Sequence, residues 1–115
     1  MSKAVSVDSI EWPAEEPLSA ERVIEGNPAA STVVIHEDET HEVGVWRCSP
    51  GRFRAVRDGY SEAVHIFEGE GEIIGNDGVN FPLHPGAFIY LADGWSGEWV
   101  VREPLAKSYV IVYSR

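Results

Sequence analysis

Cysteine occurs once, at Cys48, so no internal disulfide can brace the fold. Bases are scarce: nine Lys and Arg stand against nineteen Asp and Glu, a formal net charge of -10 at pH 7. That surplus repels phosphate and anionic lipid, which argues against nucleic acid and membrane surfaces as partners and favours a cationic or neutral ligand. No basic start leads into an apolar run of signal-peptide or membrane-spanning length. With one thiol and no such run, a soluble, reduced, cytoplasmic protein is expected. Helical periodicity is equally scarce, and what remains is a chain of 115 residues, 43% hydrophobic, with 11 Gly and 7 Pro. That composition excludes a disordered or collagen-like chain, and the length suits one core without linkers or repeats.

Residues 1–30 hold Pro13, Pro17 and Pro28 among many acids and read as a wrapping arm. One short helix is expected within it from Ser19 to Glu25, with Ser19 as cap and Gly26 in the left-handed closing position. From Ser31 onward, β-branched and aromatic runs alternate with turn residues, which predicts an all-β body over residues 31–115. The expected strands are Ser31 to His36, His41 to Cys48, Arg52 to Arg57, Glu62 to Phe67 and Gly71 to Gly75. Val79 to Pro82, Ala87 to Leu91, Glu98 to Arg102 and Lys107 to Tyr113 complete them. Asn76-Asp77-Gly78 signals a hairpin, because Asp and Gly tolerate positive φ. Many short antiparallel strands imply a sandwich or barrel.

Strand alternation places Glu62, Val64 and Ile66 on one face and Ala63, His65 and Phe67 on the other. A carboxylate among apolar residues needs a partner, since burying it unpaired is costly. Glu62 is therefore the first candidate site residue.

Several spaced segments carry a resemblance: Gly44-Val45-Trp46, Pro50-Gly51-Arg52-Phe53, Glu62 through Gly69-Glu70, Pro85-Gly86, Gly94 through Val101, and Lys107 through Ile111. Together they resemble the cupin superfamily, and within it the small cupins grouped with ureidoglycine aminohydrolase and the ethanolamine-utilisation cupins. The resemblance implies a double-stranded β-helix, or jelly roll, with an N-terminal extended arm. It also implies a homodimer, in which strand edges and outward apolar faces are buried against a second copy and the arm with Trp12 assists.

The first cupin motif is Gly, five residues, His-x-His, three or four residues, Glu, six residues, Gly. Glu62 and Gly69 match it, while the histidine positions fall on Val56 and Asp58 and Gly51 lies one residue nearer than the pattern asks. In the second motif Gly86 and Gly94 match, but the Pro, His and Asn positions read Ala92, Gly97 and Val101. Barrel metals rely on imidazole nitrogens plus a carboxylate. No bound metal or other cofactor is expected here, and if a divalent ion binds, Glu62 and Asp58 are the residues left to hold it.

The remaining histidines read as structural. His36 and His41 lie in the acidic stretch His36-Glu37-Asp38-Glu39-Thr40-His41-Glu42, which reads as a solvated hairpin turn rather than a surface metal site. His65 points away from Glu62 toward the arm or a second subunit, and His84 is a loop residue. Cys48 lacks a neighbouring base and reads as a small hydrophobe. Aromatic residues are concentrated instead: Trp46, Phe53, Tyr60, Trp95, Trp99 and Tyr109 lie in or beside the matching segments. If Gly97 points inward, so do Trp99 and Val101. These aromatics either fill the barrel or, with the space left by Gly97, line a pocket with Glu62.

Three functions remain open on these residues. The first is a binding module for a small amino- or ureido-type metabolite in the barrel, lined by Trp46, Phe53, Asp58, Tyr60, Trp99, Lys107 and Tyr109. The second, implied by the resemblance alone, is an enzyme of small nitrogenous-metabolite breakdown similar to ureidoglycine aminohydrolase, either metal-dependent or working through Glu62. There Glu62, its pKa raised by Val64 and Ile66, is the acid or base, Asp58 a second carboxylate, and Tyr60 or Tyr109 a donor. Lys107 would orient a substrate carboxylate or pair with Glu62. The third is an accessory subunit with a filled barrel and an acidic surface.

Overall fold

The computed structural model describes residues 1–114, and strands dominate it. In chain order they are β1 (Glu16–Pro17), β2 (Val23–Gly26), β3 (Ala29–Glu37), β4 (His41–Cys48), β5 (Gly51–Val56), β6 (Tyr60–Gly75), β7 (Asn80–Leu83), β8 (Phe88–Leu91) and β9 (Ser96–Tyr113). A single 3-10 turn at Val7–Ser9 is the helical element among the described residues, and no helix there is long and apolar enough to cross a membrane. The all-β body expected from the strand pattern, and the jelly roll that the resemblance implied, are the observed fold.

Two long strands organise it. The first half of β6 pairs with β8 and with the second half of β9, which continues through β4, β3 and β1. The second half of β6 pairs with β7 and with the first half of β9, which continues through β5 and β2. The ladder slips repeatedly between Ile66 and Gly71, and there the shared pair turns the corner from one sheet to the other. Gly69 sits at that corner with φ +96, where a Cβ would run into the Pro104 carbonyl and Leu105. The expected breaks at Gly69-Glu70 and Glu103-Pro104 are thus bends within continuous strands rather than loops between strands.

The helix expected from Ser19 to Glu25 is absent. Ser19 to Val23 instead make two i to i+3 turn bonds, Arg22 N to Ser19 O at 3.0 Å and Val23 N to Ala20 O at 3.3 Å. The chain then enters β2 on the free edge of β5. So short a helix has little stability of its own, and Val23 and Ile24 are better served by an open strand edge. The arm thus supplies edge strands to both sheets, β1 on β3 and β2 on β5.

Alternation along β6 buries Glu62, Val64 and Ile66 and turns Ala63 and His65 outward, as read from the sequence. In β9, Gly97, Trp99 and Val101 point inward, and beyond the corner Leu105, Lys107 and Tyr109 are buried. The apolar core gathers Cys48, Phe53, Val64, Ile66, Ile73, Leu83, Leu91, Trp99 and Leu105 between the two sheets.

Candidate functional site

Glu62 is buried in the barrel, 3% exposed, beside the buried Lys107 and Arg57. β6 presents Glu62 inward, and β9, its hydrogen-bonded neighbour, presents Lys107. Lys107 Nζ donates to Glu62 Oε2 at 2.8 Å. Arg57 follows Phe53 and Ala55 in the inward alternation at the end of β5, and its Nε and Nη2 both reach Glu62 Oε1, at 2.8 and 2.6 Å. The backbone beside Arg57 is tied down by its N–H to Trp95 O at 2.8 Å and its carbonyl to Gly94 N at 2.6 Å. Its guanidinium also lies 5.8 Å from the ring centroids of both Tyr60 and Trp95.

Three aromatic faces surround the Lys107 ammonium, Trp46 at 4.7 Å, Trp99 at 4.8 Å and Tyr109 at 5.7 Å. Their negative π faces offset part of the lost hydration. Burial alone pushes the Glu62 carboxyl up, but the charges and hydrogen bonds of Lys107 and Arg57 outweigh it and hold it below the usual glutamate value. This corrects the expectation of a raised pKa: Val64 and Ile66 desolvate Glu62, yet its two cationic partners decide the sign. For Lys107, burial and the Arg57 charge prevail over Glu62, and its ammonium is held below the ordinary lysine value.

These groups form one wall of a cavity of about 200 Å³, whose lining also includes Thr32, Glu42, Trp46, Tyr60, Tyr109 and Ile111. In the same lining, Glu42 accepts hydrogen bonds from Tyr109 Oη at 2.6 Å and Tyr113 Oη at 3.3 Å. Burial, then the hydrogen bond to Glu42, raises the Tyr109 phenol far above its usual value, so it remains a donor. Two acids and two bases therefore face one small space.

Of the residues singled out from sequence, Glu62, Lys107, Trp46, Tyr60 and Tyr109 line this cavity. Phe53 and Trp99 do not: they stack with ring centroids 6.4 Å apart in the apolar core and fill the barrel. Nor does Gly97 open space, because Trp95 and the Ile74 backbone already occupy the volume a side chain there would need. Asp58 is exposed, since Arg57 takes the inward slot and its neighbour must face solvent.

Arg57 and Glu42 are the residues that sequence reasoning missed. The cupin motif allows three or four residues before its Glu, and the four-residue spacing puts its histidine positions on Ala55 and Arg57, both buried in β5 or just beyond it. The alternation through Phe53 was the available signal. Glu42 gave none, because it sits in an acidic run that reads as solvated.

The donor set decides whether a divalent metal fits the barrel centre. Both Glu62 oxygens are taken by cationic side chains, and Ala55, Arg57 and Gly97 stand where imidazoles would be needed. A metal there would have one carboxylate and two repelling charges, so the residues do not fit it. Cys48 Sγ is buried and contacts Ser49 O at 3.3 Å, and burial, with the Glu15 charge adding to it, pushes its thiol up to about 12. It serves packing.

Known proteins share this architecture at low identity. A protein of unknown function from Pseudomonas syringae pv. tomato superposes with a TM-score of 0.75 at 19% identity, covering 90% of this chain and 45% of that one. The EutQ protein of Clostridium difficile gives 0.66 at 17% identity, covering 76% and 64%. Ectoine synthase from P. lautus gives 0.66 at 18%, covering 86% and 70%. The chain thus spans less than half of the first and under two thirds of the second. No curated protein matches it significantly. At such identities the superpositions speak to fold alone, whereas a sequence model of the EutQ-like cupin domain matches residues 35–109, from the end of β3 to Tyr109 in β9, and on that match the chain belongs to the EutQ-like cupin family.

Proposed function

We propose that the barrel is a binding site for a small zwitterionic or uncharged nitrogenous metabolite of amino or ureido type, recognised without a barrel metal. The observation that carries this reading is the buried Arg57–Glu62–Lys107 cluster, which lines one cavity together with the hydrogen-bonded pair Glu42 and Tyr109. Such a balanced set of two acids and two bases suits a ligand with both donors and acceptors and little net charge. The cavity of about 200 Å³ falls below the size of drug-like sites and suits a ligand of a few heavy atoms. Trp46 offers it an aromatic wall. The resemblance to ureidoglycine aminohydrolase-type cupins is the reason for placing ureides first.

Glu62 serves this reading as an anchor rather than as a proton donor. A carboxyl held below its ordinary value by two cations is ionised at neutral pH and makes a poor general acid. An enzymatic role would instead fall to Tyr109 or Lys107.

Calorimetric and thermal-shift titrations with ureides, amino acids and small amides test the proposal. A ligand selective for the native state raises the melting temperature by mass action. At least one compound is expected to do so, with its affinity reduced in Glu42→Gln and Tyr109→Phe. A flat response across the panel, with one protein partner captured stoichiometrically, would replace this reading with an accessory-subunit role.

A further inference from the structure

We infer that the β3–β4 hairpin holds a surface site for one divalent transition-metal ion of the zinc class, ligated by His36, Asp38 and His41. The barrel centre plays no part in it, so the two readings stand or fall separately. One ligand atom from each of the three residues lies within 4.8 Å of the others. His36 Nε2 is 2.8 Å from Asp38 Oδ2, and His41 Nδ1 is 3.3 Å from Asp38 Oδ1. The two imidazole rings are 5.1 Å apart, centroid to centroid. A tetrahedral zinc ion with ligands at about 2.0–2.1 Å keeps neighbouring ligand atoms about 3.4 Å apart, so side-chain rotations that bring the three atoms from within 4.8 Å of one another to that spacing would complete the site.

A bulge brings these groups together. β3 advances two residues from Val34 to His36 while β4 advances one from Gly44 to Val43, which re-aims His36. Strict alternation from sequence gives no hint of this.

The turn does not need the imidazoles. Asp38 Oδ1 accepts from Thr40 N at 2.8 Å, Thr40 Oγ1 at 2.7 Å and His41 N at 3.1 Å, and Asp38 N donates to His41 O at 3.0 Å. Those bonds close the hairpin; His41 Nδ1 also meets Thr40 Oγ1 at 2.7 Å, a contact that a bound ion would replace, and the approach of both rings to the same carboxylate is additional. Glu37 and Glu39 flank Asp38 in the chain and add negative charge that favours a cation. The ligand side chains are 38% and 40% exposed, leaving coordination positions for water. Two nitrogens and one oxygen suit zinc, copper or nickel, whereas calcium and magnesium prefer oxygen alone.

Zn2+ titration of the untagged full chain by calorimetry tests the site. One ion per chain is expected, bound at least about tenfold more weakly by His36→Ala and by His41→Ala. The other two histidines, His65 and His84, provide the controls: His65→Ala and His84→Ala are expected to bind as the wild type does. Ca2+ is expected to give no binding heat. Circular dichroism of each variant reports whether the fold is retained, and exposure of both rings predicts that it is. No Zn2+ binding, binding unchanged in His36→Ala, or binding abolished by Glu62→Gln but kept in His36→Ala would each overturn the assignment.

Discussion

Glu62 illustrates how a single buried charge depends on its neighbours. Glu62→Gln leaves Arg57 and Lys107 buried without a counter-charge, and breaking such a cluster typically costs about 3–5 kcal/mol. The stability difference also depends on pH. The native carboxyl stays ionised at pH values where an ordinary glutamate in the unfolded chain takes a proton. Its contribution is therefore fully present above the unfolded value and is lost as pH falls through the lower native one. Urea denaturation between pH 7 and pH 3 should show the wild type losing more stability than Glu62→Gln, so that the curves converge in acid. Curves that keep a constant separation would contradict it. Strand alternation pointed to Glu62 in the sequence, and pairing with Glu62 was one of two roles open to Lys107. Arg57 escaped because the motif's two permitted spacings differ by one residue, and one residue exchanges inward for outward.

At the scale of elements, the corner between the sheets is the point of least tolerance. Gly69 and Gly86 share a φ of +96, but a Cβ at Gly69 meets backbone whereas nothing lies within 4 Å of one at Gly86. Gly86→Ala therefore measures the conformational penalty alone, about 1–2 kcal/mol. Gly69→Ala adds the displacement of Pro104 and Leu105 and should lower the melting temperature by clearly more. Equal losses in the two variants would show that the corner yields freely. Most strands were readable from β-branched and aromatic runs, and His41 to Cys48 coincides with β4. What the runs concealed was continuity: Gly69 and Pro104 punctuate the sequence like turns, yet each lies inside a strand because the partner strand bends with it. The arm misled for the opposite reason, since the edge that captures β2 is created only when β5 is in place.

For the molecule as a whole, we propose that the expected homodimer forms through exposed apolar surface on the outer sheet face. Tyr90, Ala63 and Val110 are hydrogen-bonded neighbours across β8, β6 and β9, with Phe88 and Val112 nearby. Phe88 is 78% and Tyr90 65% exposed on this outer face. Ala4, Val5 and Val7 of the arm line an adjoining apolar groove of about 450 Å³ together with His65 and Phe88. Two copies that each carry a charge of -10 repel least where they meet on an uncharged strip. Sedimentation should give a dimer for the wild type and a monomer for Phe88→Glu, and the same mass for both would exclude this face. The acidic composition was legible at once; the strip was not, because its residues come from three strands that are distant in sequence.

The sharing of β6 and β9 by both sheets also governs how the protein comes apart. Neither sheet can open alone, because opening either one strips hydrogen bonds from a strand that the other requires. Amide protons at Val64 and at Ile73, on opposite sides of the corner, should therefore exchange through the same global event, with equal protection and equal dependence on denaturant. The barrel melts as one cooperative unit, and the ion pairs of Glu62 with Arg57 and Lys107, which join β6 to the end of β5 and to β9, break only in that same event.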